Sequence, residues 1–362
     1  MDNQAFIKAV KNIAKEKGIS EDVIWNAMQL ALITAYKKNF NAQTNVQVDI
    51  NQETGKIKIV SLKTVVEEVN DNYLEINLEE AKKVNPESKI GDVLEEEVTP
   101  QDFGRVAAST AKQVVTQKVR EAERESIMSE FNDKQEELVV GLVSREDASN
   151  YYIDLGRAHG ILPKTETIPG ENVVMGSSIK VYITKIENTS KGPRIMLSRT
   201  HYGFLKRLLE LEVPELQEGI VVLYSIAREA GVRSKIAVYS ENVNIDPIGA
   251  CIGEKGERIQ RIIEELNGEK IDVIKYDKDP IIFIKNALSP ARDIKVYITK
   301  KREQLALVIA EGDNVSLAIG KKGQNIRLAA RLTKYKIDLK TSEQAQLAGI
   351  NFSDYEGCDD FE

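Results

Sequence analysis

Apolar and polar positions change their rhythm three times along this chain. In the first forty residues the rhythm is helical: Phe6, Val10 and Ile13 recur among Lys8, Lys11, Lys15 and Lys17, and Trp25, Met28, Leu32 and Ala35 follow Ser20, Glu21 and Asp22. Steps of three and four put each set on one helix face, and a serine followed by two acids is a helix start with carboxylates at the positive end of the macrodipole. Two helices are predicted, with Trp25 as a packing anchor. Val46, Val48 and Ile50, then Ile57 and Ile59, alternate with polar residues around a turn at Glu53-Thr54-Gly55, the pattern of a hairpin. Glu95, Glu96 and Glu97 before Pro100 close a further extended segment. Phe103, Ala107, Ala111 and Val114 then predict one long helix from about Gln101 to Phe131, with Lys112, Lys118, Arg120 and Arg124 tending to its other side.

From Glu136 to Thr200 the rhythm shortens. Leu138 to Val143, Tyr151 to Leu155, Gly160 to Leu162, Ile179 to Ile186 and Arg194 to Ser198 are apolar or alternating runs between Gly, Pro and Asn turns, and read as five strands. Ile179, Val181 and Ile183 alternate cleanly until the phase slips at Lys185 and Ile186, as at a bulge in a bent strand. Five short strands in so few residues fit an OB-type barrel, a fold that binds oligonucleotides on one face. Tyr151, Tyr152, Arg157, His159 and Arg199 are the candidates there for base stacking and phosphate contact, although aromatics of this kind also cover barrels.

The third rhythm is a repeat. Ile252-Gly253-Glu254-Lys255-Gly256-Glu257-Arg258-Ile259 returns as Ile319-Gly320-Lys321-Lys322-Gly323-Gln324-Asn325-Ile326. Each copy has a helical pattern on both sides of its glycines and then a β-branched run, Lys270 to Ile274 in one and Lys336 to Leu339 in the other. Strands Ile220 to Ile226 and Ile236 to Tyr239, joined by a turn with three basic residues between Arg228 and Lys235, precede the first copy. Lys295 to Thr299 and Leu305 to Ile309 form the equivalent hairpin before the second. One such loop occurs by chance in helical hairpins, but a repeated supersecondary unit does not. Glycines let a phosphodiester approach the main chain, and N–H groups at the start of the next helix favour anions. This is the loop of the KH module, which clamps about four nucleotides of a single strand. The spacing of P-loop and dinucleotide-binding motifs is absent. Gly253, Glu254, Lys255 and Gly256, with Arg258 and Arg261 behind them, and Gly320, Lys321, Lys322 and Gly323, with Arg327 and Arg331, are the candidate RNA contacts.

Charge sharpens this picture. The 362 residues carry a net charge of −7, unexpected for a nucleic-acid binder, but the charge is segregated. Residues 1–200 hold 26 Lys+Arg against 31 Asp+Glu, residues 201–350 hold 24 against 21, and residues 351–362 hold none against 5. Between Pro290 and Lys340 there are 12 basic and 5 acidic residues, so the second loop sits in a cationic module where counterion release favours a phosphate strand. Residues beyond Gly349 are acidic and weakly apolar, and are expected to be disordered. Two cysteines, Cys251 and Cys358, and two histidines, His159 and His201, form no metal-ligand spacing and no disulfide framework, so no metal or cofactor is expected. Cys251 reads as a small packed residue. The N-terminus has no apolar core of a secretory signal and no apolar run approaches bilayer length, which predicts a cytoplasmic protein without membrane attachment.

Several segments together carry a resemblance: Asp102-Phe103-Gly104-Arg105-Val106-Ala107, Ala111-Lys112-Gln113-Val114, Ile226-Ala227-Arg228-Glu229, Arg233 to Val238, Asp246 to Gly253, and Ala287-Leu288-Ser289-Pro290-Ala291. In this order the chain resembles the NusA family of bacterial transcription factors over roughly residues 1–345. The resemblance implies an α+β, multidomain protein: a helix-rich α/β N-terminal polymerase-binding domain at 1–131, an S1 (OB-fold) barrel at 132–200, KH domains at 201–278 and 279–345, and an acidic disordered tail at 346–362. It implies no catalysis. It also implies a position near the RNA exit channel of RNA polymerase, binding of nascent single-stranded RNA, modulation of pausing, termination and antitermination, other Nus-type elongation factors as further partners, and a monomer. The chain departs from longer members in having no acidic repeats after the second KH domain, so regulation through such repeats is not expected. Two other readings compete: an S1/KH accessory or component of an RNA-degrading exoribonuclease, for which residues 1–131 show no paired-acid metal cluster, and a ribosome-associated RNA binder. From sequence alone, Gly320→Asp with Gly323→Asp is expected to weaken RNA binding in a filter assay while leaving the circular dichroism native.

Overall fold

A computed structural model describes residues 3–17, 20–40, 45–52, 54–100, 103–189, 192–350 and 356–357. They form two compact units, Met1–Ser129 and Glu130–Glu362, the division falling within one long helix.

The first unit begins with helices α1 (Asn3–Lys17) and α2 (Glu21–Phe40). Glu21 and Asp22 in the first turn of α2 and Lys37 and Lys38 in its last complement the helix dipole. Strands β1 (Asn45–Ile50) and β2 (Ile57–Val66) follow, then β3 (Glu75–Asn77), α3 (Leu78–Val84), β4 (Val93–Glu97) and α4 (Phe103–Asn132). The hairpin register sets Ile50 opposite Ile57, so Val46, Val48 and Ile50 point inward and the residues between them outward. β2 also pairs in parallel with β3 and antiparallel with β4. Trp25, Met28 and Leu32 of α2 pack with the hairpin and with Phe103, Ala107 and Ala111 of α4 in one core. The α4 stripe continues to Val115 rather than Val114, which lies half-buried at its margin.

In the second unit β5 (Leu138–Glu146), β6 (Asn150–Asp154), β7 (His159–Pro163), β8 (Ser178–Thr189) and β9 (Gly192–Ser198) close into a barrel in the order β5-β6-β7-β9-β8. The β8–β9 register shifts between Ile183 and Lys185, where alternation fails in the sequence. Helices α5 (Tyr202–Glu212) and α6 (Pro214–Gln217) come next. The sequence pattern offered only punctuation here, and the following strand begins at Val222 rather than Ile220.

The repeat then unfolds as two copies of one topology. β10 (Val222–Glu229), β11 (Arg233–Tyr239), α7 (Pro247–Ile252), α8 (Glu257–Glu265) and β12 (Lys270–Lys275) make the first. α9 (Pro280–Ala287), β13 (Lys295–Lys300), β14 (Leu305–Ile309), α10 (Asp313–Ile319), α11 (Gln324–Thr333) and β15 (Lys336–Lys340) make the second. In each, an antiparallel hairpin is followed by a helix pair and by a strand running parallel to the second hairpin strand. Asp-Pro starts α7 and α9 alike: the carboxylates of Asp246 and Asp279 accept the N–H of Ile248 and Ile281, with proline in the first helical position. Helix α12 (Ser342–Leu347) opens on a capping box of Thr341 and Gln344. β16 (Glu356–Gly357) pairs with Tyr297 and Ile298 of β13; the rest of the expected tail beyond residue 350 lies outside the described residues.

Barrel and modules share cores. Ile168 and Tyr182 of the barrel pack with Phe204, Leu205, Leu208 and Leu209 of α5 and with Ile236 and Val238 of β11. Ala227, Ala237 and Ile274 of the first module pack with Phe283, Ile284, Leu328 and Leu332 of the second. Gly203 marks the tightest approach: a Cβ there would stand 2.3 Å from the Tyr182 ring. Gly203→Ala is therefore expected to destabilise this unit by about 1–3 kcal/mol through overpacking, read as a lower midpoint in urea unfolding.

Candidate nucleic-acid interface

The two glycine loops have nearly the same backbone. Gly253 and Gly320 have φ/ψ of 75/175° and 69/175°, Lys255 and Lys322 have 50/18° and 54/29°, and Gly256 and Gly323 have 82/12° and 73/18°. Three of the four positions thus have positive φ, and a lysine adopts the left-handed region in each copy, at a cost that glycine would not meet. The first glycine is demanded by space as well. A Cβ on Gly253 would meet the Arg258 side chain at 2.6 Å, and one on Gly320 would meet Asn325 Cβ at 2.7 Å and its backbone nitrogen at 2.9 Å. The expectation that Gly320→Asp spares the fold is therefore corrected: the new side chain would strain φ and collide with main chain. Gly256 has open space where its Cβ would be, and Gly323 has only the Arg327 guanidinium at 3.3 Å.

Glu254, Lys255, Lys321 and Lys322 are exposed. The amides that open the following helices are turned back into the loops: Gly256 and Gly323 donate to Gly253 and Gly320, and Glu257 and Gln324 donate to Glu254 and Lys321. The expected anion site at the helix start narrows accordingly. What remains to meet a phosphate is the exposed lysine side chains, Lys255 in the first loop and Lys321 and Lys322 in the second, and the close approach that the last glycine permits. The arginines behind the loops have partners. Arg258 Nη1 lies 2.7 Å from Glu215 and donates to Ala250 O, Arg261 is 3.4 Å from Glu212, and Arg327 Nε is 3.3 Å from Glu229. Arg331, on α11, is exposed.

The barrel separates its candidates. Arg157 and His159 are exposed at the β6–β7 turn, with Arg157 3.0 Å from Glu130. Tyr151 and Tyr152 are half-buried at the opposite end of β6. There Arg145 lies 3.9 Å from the Tyr152 ring and Lys164 5.2 Å from the Tyr151 ring, two cations that sequence reasoning missed because nothing in their spacing ties them to the tyrosines. The Tyr152 hydroxyl donates to Asp147, whose carboxyl is held down at about 2 by the N–H of Ser149, that hydroxyl and the N–H of Asn150. Cationic side chains over aromatic rings at a barrel rim suit stacked bases and their phosphates.

Arg199 does not belong to this surface. Its side chain is 3% exposed, and all five N–H donors are used: on Glu171, on the carbonyl of Lys180, and on both the carboxylate and the carbonyl of Glu265 in α8. An arginine with no free donor has nothing to offer a phosphate, and the structure makes it the joint between barrel and first module. Two of the three basic residues read as a turn, Arg228 near the end of β10 and Lys235 in β11, are similarly internal. Arg228 pairs with Glu269 at 2.9 Å, both essentially buried, and Glu269 also accepts the N–H of Gly231 and the hydroxyl of Ser234. Lys235, fully buried, meets Asp272 at 3.1 Å and donates to Ser289 O. Burial lowers the Lys235 pKa. At Asp272 burial works the other way, but Arg233 and Lys235 outweigh it and hold its carboxyl below the ordinary value. Cys251 lies in the core, where burial pushes its thiol up to about 12, the state of an unreactive packed cysteine. Among the described residues no group of His, Cys, Asp and Glu could hold a metal ion, and no helix is long and apolar enough to cross a membrane. In the first unit a cavity of about 470 Å³ between α2, α4 and the β1–β2 turn is lined by Leu32, Phe103 and Ala107, with Lys56 and Arg105 among its polar residues.

Comparison with known proteins bears on both units. The NusA N-terminal domain model matches residues 5–125, the NusA-like first KH domain residues 199–276, and the NusA-like second KH domain residues 280–347. The transcription termination/antitermination protein NusA of Halalkalibacterium halodurans is 53% identical over 348 residues, 96% of this chain and 91% of that protein. Its counterpart in Bacillus subtilis is 52% identical over 95% of this chain and 93% of that protein, and that of Thermus thermophilus 41% identical over 95% and 92%. The solution structure of the N-terminal domain of NusA from B. subtilis is 56% identical and covers 34% of this chain and 98% of that one, with a TM-score of 0.32.

Removing the Arg199 side chain leaves the largely buried Glu171 carboxylate without its cation and Glu265 with Lys180 alone, at 3.0 Å. Arg199→Ala should cost about 3–5 kcal/mol in urea unfolding, whereas Arg331→Ala, at an exposed position, should change stability by less than about 0.5 kcal/mol.

Proposed function

The chain belongs to the NusA family of transcription termination/antitermination proteins, and from that premise we propose that its second unit follows the nascent transcript while its first unit docks on RNA polymerase near the RNA exit channel. The observation that carries the RNA half is the pair of glycine loops with one backbone geometry, each exposing two side chains beside a last glycine that is open at Gly256 and faces only the Arg327 guanidinium at Gly323. A phosphodiester can pass close to such a loop, and the module clamps a few nucleotides of single strand. The barrel's Tyr151, Tyr152, Arg145 and Lys164 at one end of β6, and Arg157 and His159 at the other, supply separate further contacts. Each site by itself is weak. Linked sites raise one another's effective concentration, so a strand spanning several of them is held by avidity.

The role is that of an adaptor without catalysis, acting in the cytoplasm as a monomer and altering pausing, termination and antitermination through contacts with polymerase, transcript and other Nus-type factors. Family membership does not favour the exoribonuclease or ribosome-associated alternatives. Incubation with labelled RNA, phosphate and Mg²⁺ tests the first by strand shortening, and pull-down on core polymerase against ribosomes tests the second.

Loop chemistry can be changed without disturbing the glycines. Lys321→Asp with Lys322→Asp keeps Gly320 and Gly323, and aspartate tolerates the left-handed backbone at 322 better than most residues. The double replacement should weaken RNA binding at least about tenfold near physiological salt, since two phosphate-facing cations become anions, and should shorten the factor's effect on pause lifetime in vitro. Unchanged filter-binding affinity with a native circular dichroism spectrum would remove the clamp assignment.

A further inference from the structure

Beside each glycine loop stands an arginine held by a carboxylate from outside the loop's own helix pair. For the first loop the partners are Arg258 and Glu215, the latter on α6. For the second they are Arg327 and Glu229, and Glu229 is the last residue of β10, in the other KH module. Glu229 takes two donors from the second loop's helix: Gln324 Nε2 at 2.8 Å, directly after Gly323, and Arg327 Nε at 3.3 Å. Arg327 Nη1 in turn donates to the carbonyl of Lys322 at 2.6 Å. Its guanidinium therefore lies over the end of the loop, 3.3 Å from where a Gly323 Cβ would be. A strand crossing Gly323 meets Arg327 first.

This pair differs from the structural ones of the same unit. Arg199 and Arg228 are 3% and 2% exposed, and each gives several donors to its carboxylate partners. Arg327 is 48% exposed and gives Glu229, itself 22% exposed, a single long contact. Pairs of that kind are weak and exchange readily with other anions. A carboxylate oxygen and a phosphodiester oxygen also ask the same thing of a guanidinium.

We propose that Glu229 holds, in the RNA-free protein, the acceptor position that a transcript phosphate takes on the second loop, so that binding there is an exchange of Arg327 from Glu229 to the phosphodiester. The exchange rests on the clamp reading of the loop given above. It makes Glu229 a positioning residue: Arg327 is kept over the loop before RNA arrives, at the expense of part of the affinity. A clamp on a strand that must keep moving gains from such a competitor, because release is assisted by a carboxylate already in place.

The test uses the full chain, a fluorescein-labelled unstructured RNA and anisotropy titrations over a salt series. Glu229→Gln keeps the side-chain size and the bond to Gln324 but removes the competing charge. It should tighten binding about two- to fivefold, the range of a half-exposed ion pair, and steepen the plot of log affinity against log salt by about 0.7, one phosphate contact on a single strand. Glu343→Gln, an exposed acid on α12, controls for the general loss of one negative charge. In an Arg327→Gln background the effect of Glu229→Gln should shrink to that of the control. Weaker binding by Glu229→Gln, or a gain no larger than the control's, overturns the exchange. Replacement of Lys321 and Lys322 by aspartate separates the failures. If it abolishes binding while Glu229→Gln does nothing, the exchange is wrong and the clamp stands; if it too does nothing, the clamp reading is wrong and the exchange falls with it.

Discussion

The second unit depends on charges taken out of water between its parts. Arg199 leaves the end of the barrel, and its guanidinium has no solvent to fall back on, so every donor must find an acceptor at once. Those acceptors belong partly to the barrel, through Glu171 and Lys180, and partly to α8 of the first KH module, through Glu265. Arg228 repeats the device one strand further on: it pairs with Glu269 within its module and donates to the carbonyl of His201 at the barrel exit. Lys235 reaches from β11 to Ser289, between α9 and β13 of the second module. Separating barrel from module would leave these ions buried without partners or force them into water along with the shared apolar cores. The geometry between the barrel and the two glycine loops is thereby set by desolvation as well as by chain connectivity.

Such spacing bears on what weak loops can do together. A flexible tether between binding sites lets the second site sample a large volume, which dilutes its effective concentration; a fixed spacing concentrates it on the strands whose phosphates fall in register. Contacts between the modules have the same effect on the second loop. Ser225 donates to the carbonyl of Leu332 at the end of α11, and Glu229 reaches Gln324 and Arg327 at its start, so both ends of that helix are referred to strand β10 of the neighbouring module.

Much of this was legible in the sequence where local rules act. Alternation gave the β1–β2 hairpin, the phase slip gave the β8 bulge, and the repeated glycines gave both loops, because a positive φ and a close approach leave few residues to choose from. Helices α5, α9 and α12 were not read. α9 and α12 are only 8 and 6 residues long, too short for a repeated apolar stripe, and α12 buries Ala345 alone, whereas Phe204, Leu205, Leu208 and Leu209 of α5 do form one stripe that the punctuation by Pro214 and Gly219 overshadowed. Arg199 was misread for another reason. An arginine beside a serine and a threonine at a strand end looks solvated, and the carboxylates that bury it lie 28 and 66 residues away. Arg145 and Lys164 went unnoticed because only the barrel's closure brings them to the tyrosines. The local part of the site was written in adjacent residues, and the electrostatic part only in distant ones.

The two loops are alike in backbone and unlike in charge, and that difference has a direction. Glu254 beside Lys255 nearly cancels, whereas Lys321 and Lys322 add, on a module with an excess of basic residues. Coulomb attraction at an exposed site is screened over about 8 Å at physiological ionic strength, so the first loop draws little on charge and the second a great deal. Added salt should therefore release a strand from the second loop while contacts of shape and stacking at the first loop and the barrel persist. A transcript held by one salt-sensitive and several salt-tolerant contacts can let go of part of its length without leaving the protein. The fixed seams between the modules then keep the vacated loop in place to take the next phosphates that arrive.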